Sequence, residues 1–255
     1  MCAPVQNSKQ EIHQDAAAVC GSLQKSWWDN LKHELYHHFP YATMSVASAL
    51  IVLSLINVFF YSGISECVDA GVVGAVCEHG HHHGSGMDIL FHSFHFIHVL
   101  FAVSGTMTMF FRFAPKRIGM GIVLGIFSAV VFCTLSDVLL PYAAGMLLGV
   151  PMELHICFHS ELHNIIPFLL VGMVNGLVMS KVADFVSEQS VLTLHFWHTF
   201  ISAMASICYA VGHGLSDFYH HLGIFFLLMV LAVVIPCTLA DVVAPLVFAK
   251  FVAEE

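Results

Sequence analysis

Two tetrapeptides place pairs of imidazoles one helical turn apart: His95-Phe96-Ile97-His98 and His195-Phe196-Trp197-His198. Residues three apart share a helix face, so each pair offers two ring nitrogens to a single ion. His92 extends the first pair by another turn. A second recurring segment supplies carboxylates. Cys133-Thr134-Leu135-Ser136-Asp137-Val138 with Pro141 is matched by Cys237-Thr238-Leu239-Ala240-Asp241-Val242 with Pro245. Neutral imidazole combined with carboxylate is a usual ligand set for zinc, iron, nickel or manganese. Cys133 and Cys237, one turn ahead of their aspartates, add soft donors, although a cysteine in an apolar helix more often serves as a small packing residue.

A third pattern carries further candidate ligands. Glu34-Leu35, four residues, then Pro40-Tyr41 is matched by Glu161-Leu162, four residues, then Pro167-Phe168. His37 and His38 follow the first glutamate, and His155, His159 and His163 surround the second. The segment His33-Glu34-Leu35-Tyr36-His37 fits H-E-x-x-H, the zinc-protease arrangement of two helical histidines with a glutamate base. With 19 histidines in the chain a chance match is cheap, and the matching segment His159-Ser160-Glu161-Leu162-His163 lacks the His-Glu pairing. An enzyme is therefore not expected. The run from Cys77 to Gly86 is metal-seeking by composition, and His213, Asp217, His220 and His221 form a looser polar patch. Cys67 and Cys77 share one polar loop and are the only pair placed to form a disulfide, in an oxidising compartment.

The elements that position these residues are helices in lipid. The chain has 255 residues, 58% of them hydrophobic and only 10% charged, with a mean hydropathy of +0.83, well outside the range of a soluble domain. Six stretches are long and apolar enough to cross a hydrocarbon core: 41–62, 88–111, 118–141, 164–179, 191–212 and 223–249. They lack the alternation of a barrel strand, so an all-α membrane protein with six transmembrane helices is expected. A net charge of −9 disfavours nucleic acid as a partner and suits cations. The first forty residues hold no apolar run before a small-residue cleavage site, and no signal peptide is expected.

All eight basic residues fall on one side of these spans: Lys9, Lys25, Lys32, Arg112, Lys116, Arg117, Lys181 and Lys250. By chance this would occur roughly once in two hundred, so both termini are expected in the cytoplasm or an equivalent space. The three recurring patterns appear in the same order in both halves, and a unit of three crossings reinserts with opposite direction, giving a 3+3 inverted-topology repeat. The expected organisation is an N-terminal cytoplasmic segment with an interfacial amphipathic helix (1–40), a first repeat (41–141, with the His-rich outer loop 63–87), an outer connection (142–163), a second repeat (164–249) and a cytoplasmic tail (250–255).

On this topology the polar residues sort into two expected metal-ligand sets. The outer set is His92, His95, His98, Asp137, His159, Glu161 and His163. The inner set is Glu34, His37, His38, His195, His198 and Asp241. Polar groups are costly in lipid and mark function there. The expected function is a transporter or channel in the plasma membrane, or its equivalent, for a divalent transition-metal cation, zinc first, with the sets at its outer and inner mouths. Two alternatives stand beside it: a haem b electron-transfer subunit with axial histidines, and a metal-sensing or structural membrane protein. A homo-oligomer is compatible with either.

Overall fold

The computed structural model describes residues 39–56, 83–181, 188–215 and 218–253, together with residues 32 and 36. Among these every regular element is helical and none is a strand. In chain order they are α1 (Phe39–Ile56), α2 (His83–Phe113), α3 (Ile118–Leu147), the single turn α4 (Cys157–Ser160), α5 (Leu162–Met179), α6 (Glu188–Gly212) and α7 (Tyr219–Val252).

Five of them, α1, α2, α3, α5 and α7, are long and apolar enough to cross a membrane. Large apolar residues cover their outer faces, among them Ile51, Val123, Val174, Leu227 and Leu231. This inside-out pattern, apolar toward the surroundings and polar toward the interior, is that of a multi-pass membrane protein. Helix α6 has 25 residues, sufficient length at about 1.5 Å per residue to cross a membrane. It carries His195, His198, Thr199, Ser202 and Ser206, all buried. A helix enclosed by other helices meets side chains rather than lipid, so it can hold polar groups that a lipid-facing helix would have to shed.

Helices α2 and α6 form the central pair, and α2 also packs along α5 and α3. The close approach of α5 comes from small residues. A Cβ built on Gly172 would lie 2.8 Å from the Leu100 carbonyl oxygen, and one on Gly176 would lie 2.9 Å from Met107 Cβ. Glycines four apart let two backbones touch where no hydrophobic effect drives association. Helix α1 joins the bundle through Ser45, whose hydroxyl donates to Thr199 Oγ1 at 2.9 Å.

Helices α3 and α7 share an irregularity with a sequence cause. Each widens into a π-helical turn, Leu135–Leu139 in α3 and Leu239–Val243 in α7, and each turn centres on an aspartate. Pro141 and Pro245 follow those aspartates by four residues. A proline has no N–H for the carbonyl four residues back and its ring crowds that carbonyl, so the backbone opens by one residue there. Such turns recur at functional sites.

Candidate metal centre

Three imidazoles descend one face of α2. His95 and His98 are fully buried, while His92 stays partly accessible. Asp137, from the π turn of α3, meets the lower two: its Oδ2 accepts from His95 Nδ1 at 2.8 Å and from His98 Nδ1 at 2.7 Å. The second half repeats the arrangement. Asp241 Oδ2 accepts from His195 Nδ1 at 3.2 Å and from His198 Nδ1 at 2.5 Å. In both halves, too, a hydroxyl two turns beyond the second histidine holds the backbone beside an aspartate. Ser206 donates to the Ser136 carbonyl at 2.9 Å and Thr106 to the Ala240 carbonyl at 3.1 Å.

The two triads are not equally satisfied. Asp137 Oδ1 accepts from Ser136 at 2.7 Å and from Ser202 at 2.9 Å. In the second half Ala240 stands where the first has Ser136. Asp241 Oδ1 is buried with no hydrogen-bond partner among the described residues. It lies where a Cβ on residue 105 would be 2.9 Å away, so the close fit depends on Gly105 having none.

The triads meet at the middle of the bundle, where His98 Nε2 and His198 Nε2 are 2.7 Å apart. Their acceptors assign the tautomers. A carboxylate only accepts, so each Nδ1 carries a proton, and in the neutral ring Nε2 is the lone-pair nitrogen. Two lone pairs do not face each other at this distance unless a cation lies between them, either one shared proton or a metal ion. Two thiols flank the contact: Cys133 Sγ is 3.9 Å and Cys237 Sγ 3.8 Å from His98 Nε2. Both are buried and free. His98, His198 and Cys237 present ligand atoms within 4.8 Å of one another, as do His195, His198 and Asp241.

The two imidazoles and one thiol of His98, His198 and Cys237 suit a borderline-soft ion such as zinc, with Zn–N bonds of about 2.0–2.1 Å, and Cys133 stands beside His98. The nitrogens of such a pair stand roughly 3.3 Å apart, so the rings would part by several tenths of an ångström. The aspartates fit the role of outer partners that hold the Nδ1–H of a ligating histidine and fix its orientation. Haem does not fit here. A porphyrin held by two axial histidines must lie between their Nε2 atoms, and 2.7 Å leaves no space for it.

One histidine of each expected set takes part in this contact, His98 of the outer set and His198 of the inner set. Asp137 and Asp241 stand behind the histidines, with Asp137 fully occupied by hydrogen bonds. Glu161 accepts from Asn164 at 2.6 Å and lines a cleft with Asp88 and His92. His163 is exposed. The side chain of His159 lies outside the described residues, as do His33, Glu34, His37 and His38, the polar residues of the H-E-x-x-H segment among them, and Cys67, Cys77 and most of the His-rich loop.

Cys133 and Cys237 sit at the centre, and the signal for them was present in the sequence, because each precedes its aspartate by one turn in both halves. Ser136 and Ser202 carried no such signal. Nor did Cys157, which is buried beside His92 and His155. Burial pushes the Cys157 thiol up to about 12, with Asp137 and Asp88 adding to the effect. His213, stacked on Tyr209 at 4.2 Å between ring centroids, is lowered by loss of solvent, although its hydrogen bond to the Tyr209 carbonyl opposes the shift.

Fold and site thus define a class: a multi-pass helical membrane protein with a buried His/Cys/Asp cluster able to hold a metal ion. No family model, curated protein or solved structure matches the chain.

Proposed function

We propose that the protein carries a divalent transition-metal cation, zinc first, across the membrane through an occluded centre made by His98, His198, Cys133 and Cys237. The observation that supports this most directly is the 2.7 Å approach of two imidazole nitrogens whose tautomers point both lone pairs at one place. The Cys237 thiol lies within reach of both rings and the Cys133 thiol lies beside His98, donors suited to zinc-like ions. Their four side chains are buried, so an ion reaches and leaves them only by movement of helices. That favours alternating access over an open channel.

In this reading α6 is the sixth crossing, and the two halves form a 3+3 inverted repeat with both termini cytoplasmic. The recurrence of the His–His–Asp triad and its proline-linked π turn in each half supports the repeat. The one-sided distribution of Lys and Arg supports the direction, in the plasma membrane or its equivalent. Rocking of one half against the other would expose the centre alternately. The ion is cargo and undergoes no chemical turnover, so no enzymatic activity is assigned.

The test is flux into liposomes containing the purified protein, with Zn²⁺ read by an entrapped indicator. His98→Ala and His198→Ala should each lower the rate at least tenfold. Rates equal to wild type in both variants would overturn the proposal. Metal bound at the centre without any flux would instead assign it a sensing or structural role.

A further inference from the structure

At one end of the bundle, where the connection between α3 and α5 folds over α2, we infer a second metal site, formed by His92, His155 and Cys157 and suited to one zinc-like divalent ion. Their ligand atoms lie within 4.8 Å of one another. The site shares no residue with the central one.

His92 presents an open ligand nitrogen. His92 Nδ1 donates to the Asp88 carbonyl at 2.8 Å, which leaves Nε2 as the lone-pair nitrogen. That atom is buried and has no partner among the described residues. A buried acceptor without a donor is costly unless a ligand or water fills the place. His155 is anchored through its backbone N–H, which donates to the Tyr209 hydroxyl at 3.1 Å. Its ring meets that of His92 edge-on at 5.4 Å. Cys157 is buried at the start of α4 and is not in a disulfide. Two imidazoles and a thiol leave a fourth position open, as in zinc sites that exchange a ligand.

The surroundings suit a cation. His92 also lines a cleft of about 330 Å³ with Asp88, Glu161 and Asn164, so two carboxylates border the approach. On the inner side His95 follows one turn along α2, and its Nε2 is likewise buried and unpartnered. His92, His95 and His98 thus form a file about 9 Å long from this site to the central one. The role of a capture station rests on the transport reading above. The binding site itself does not.

The experiment is a titration of the purified full-length protein in detergent with Co²⁺, whose d–d and thiolate-to-cobalt absorption counts bound ions and their sulfur ligands. Beyond the ions taken up by the His-rich run 77–86, wild type should bind two equivalents. Cys157→Ser and His155→Gln should each bind one with spectra of the remaining site, and Cys237→Ser should lose the other equivalent. His155→Gln changes a partly accessible loop residue, which keeps the test decisive if Cys157→Ser does not fold. Two equivalents retained in a folded His155→Gln or Cys157→Ser protein would overturn the second site, while loss in Cys237→Ser would still leave the centre standing. Loss in His155→Gln with no change in Cys237→Ser would support the second site and remove the central one.

Discussion

His98 and His198 face each other through their Nε2 atoms at 2.7 Å, each ring held from behind by an aspartate of its own half. If this pair shares one ion, the two rings act as a unit and their losses do not add. His98→Ala and His198→Ala should each weaken metal binding at the centre by at least a hundredfold. The double variant should be little worse than either single one, as expected for residues that share a partner. Isothermal titration of the three proteins checks this, and additive losses would count against a shared ion.

Asp137 acts through the histidines. Replacing it with Asn keeps the shape but substitutes a neutral amide for the carboxylate that accepts from two Nδ1–H groups. Outer partners of this kind are worth 10- to 100-fold in metal affinity. Asp137→Asn should therefore lower affinity by about that factor while the thermal midpoint moves much less than the affinity. A metal-free protein that melts with the same large deficit would mark the aspartate as purely structural.

Gly105 faces the carboxylate of Asp241, and a methyl group there would stand 2.9 Å from Oδ1. Gly105→Ala should push the aspartate off its histidines and cost about 1–3 kcal/mol, the usual penalty for overfilling a packed interior. A restoring change is available: Ala240→Ser in the otherwise wild-type chain gives Asp241 Oδ1 the donor that Ser136 gives Asp137, and should raise the melting temperature. Denaturation in a mild detergent measures both.

The two groups shifted outside the spans set limits on pH stability. Loss of solvent holds the His213 pKa below its ordinary 6.5, so the unfolded chain binds the proton more readily and stability falls as pH drops below that value. Burial raises the Cys157 thiol from 9.0 to about 12, so the unfolded chain releases its proton first and stability falls as pH rises through that interval. Both contributions are intact between roughly pH 7 and 9. Melting curves across pH should show the acid slope flattened by His213→Gln and the alkaline slope by Cys157→Ser.

The glycine pair of α5 governs a lipid-exposed helix. Gly176→Leu would drive a side chain into Met107 and Ser104 of α2 and should separate the helices, lowering the melting temperature by several degrees. Val174→Leu, on the exposed face, should leave it unchanged. Equal effects of the two would argue against close α2–α5 packing.

Much of this organisation was written in residue order. Apolar length, the scarcity of charge and the missing strand alternation determined that the chain is helical and suited to lipid, because a helix satisfies its backbone groups within its own segment. The spacing of His95 and His98, and of Cys133 and Asp137, determined which side chains share a face, and Pro141 accounts for the widening at Leu135–Leu139. These are local consequences of 3.6 residues per turn and of a missing N–H. The depth at which helices cross is not local. Only packing in three dimensions, with α6 laid against α2, decided that His98 would meet His198, that Cys133 and Cys237 would flank them, and that Cys157 would close beside His92. One sequence period repeats at every turn, whereas the turn that touches a partner is selected by the shapes of both surfaces at once.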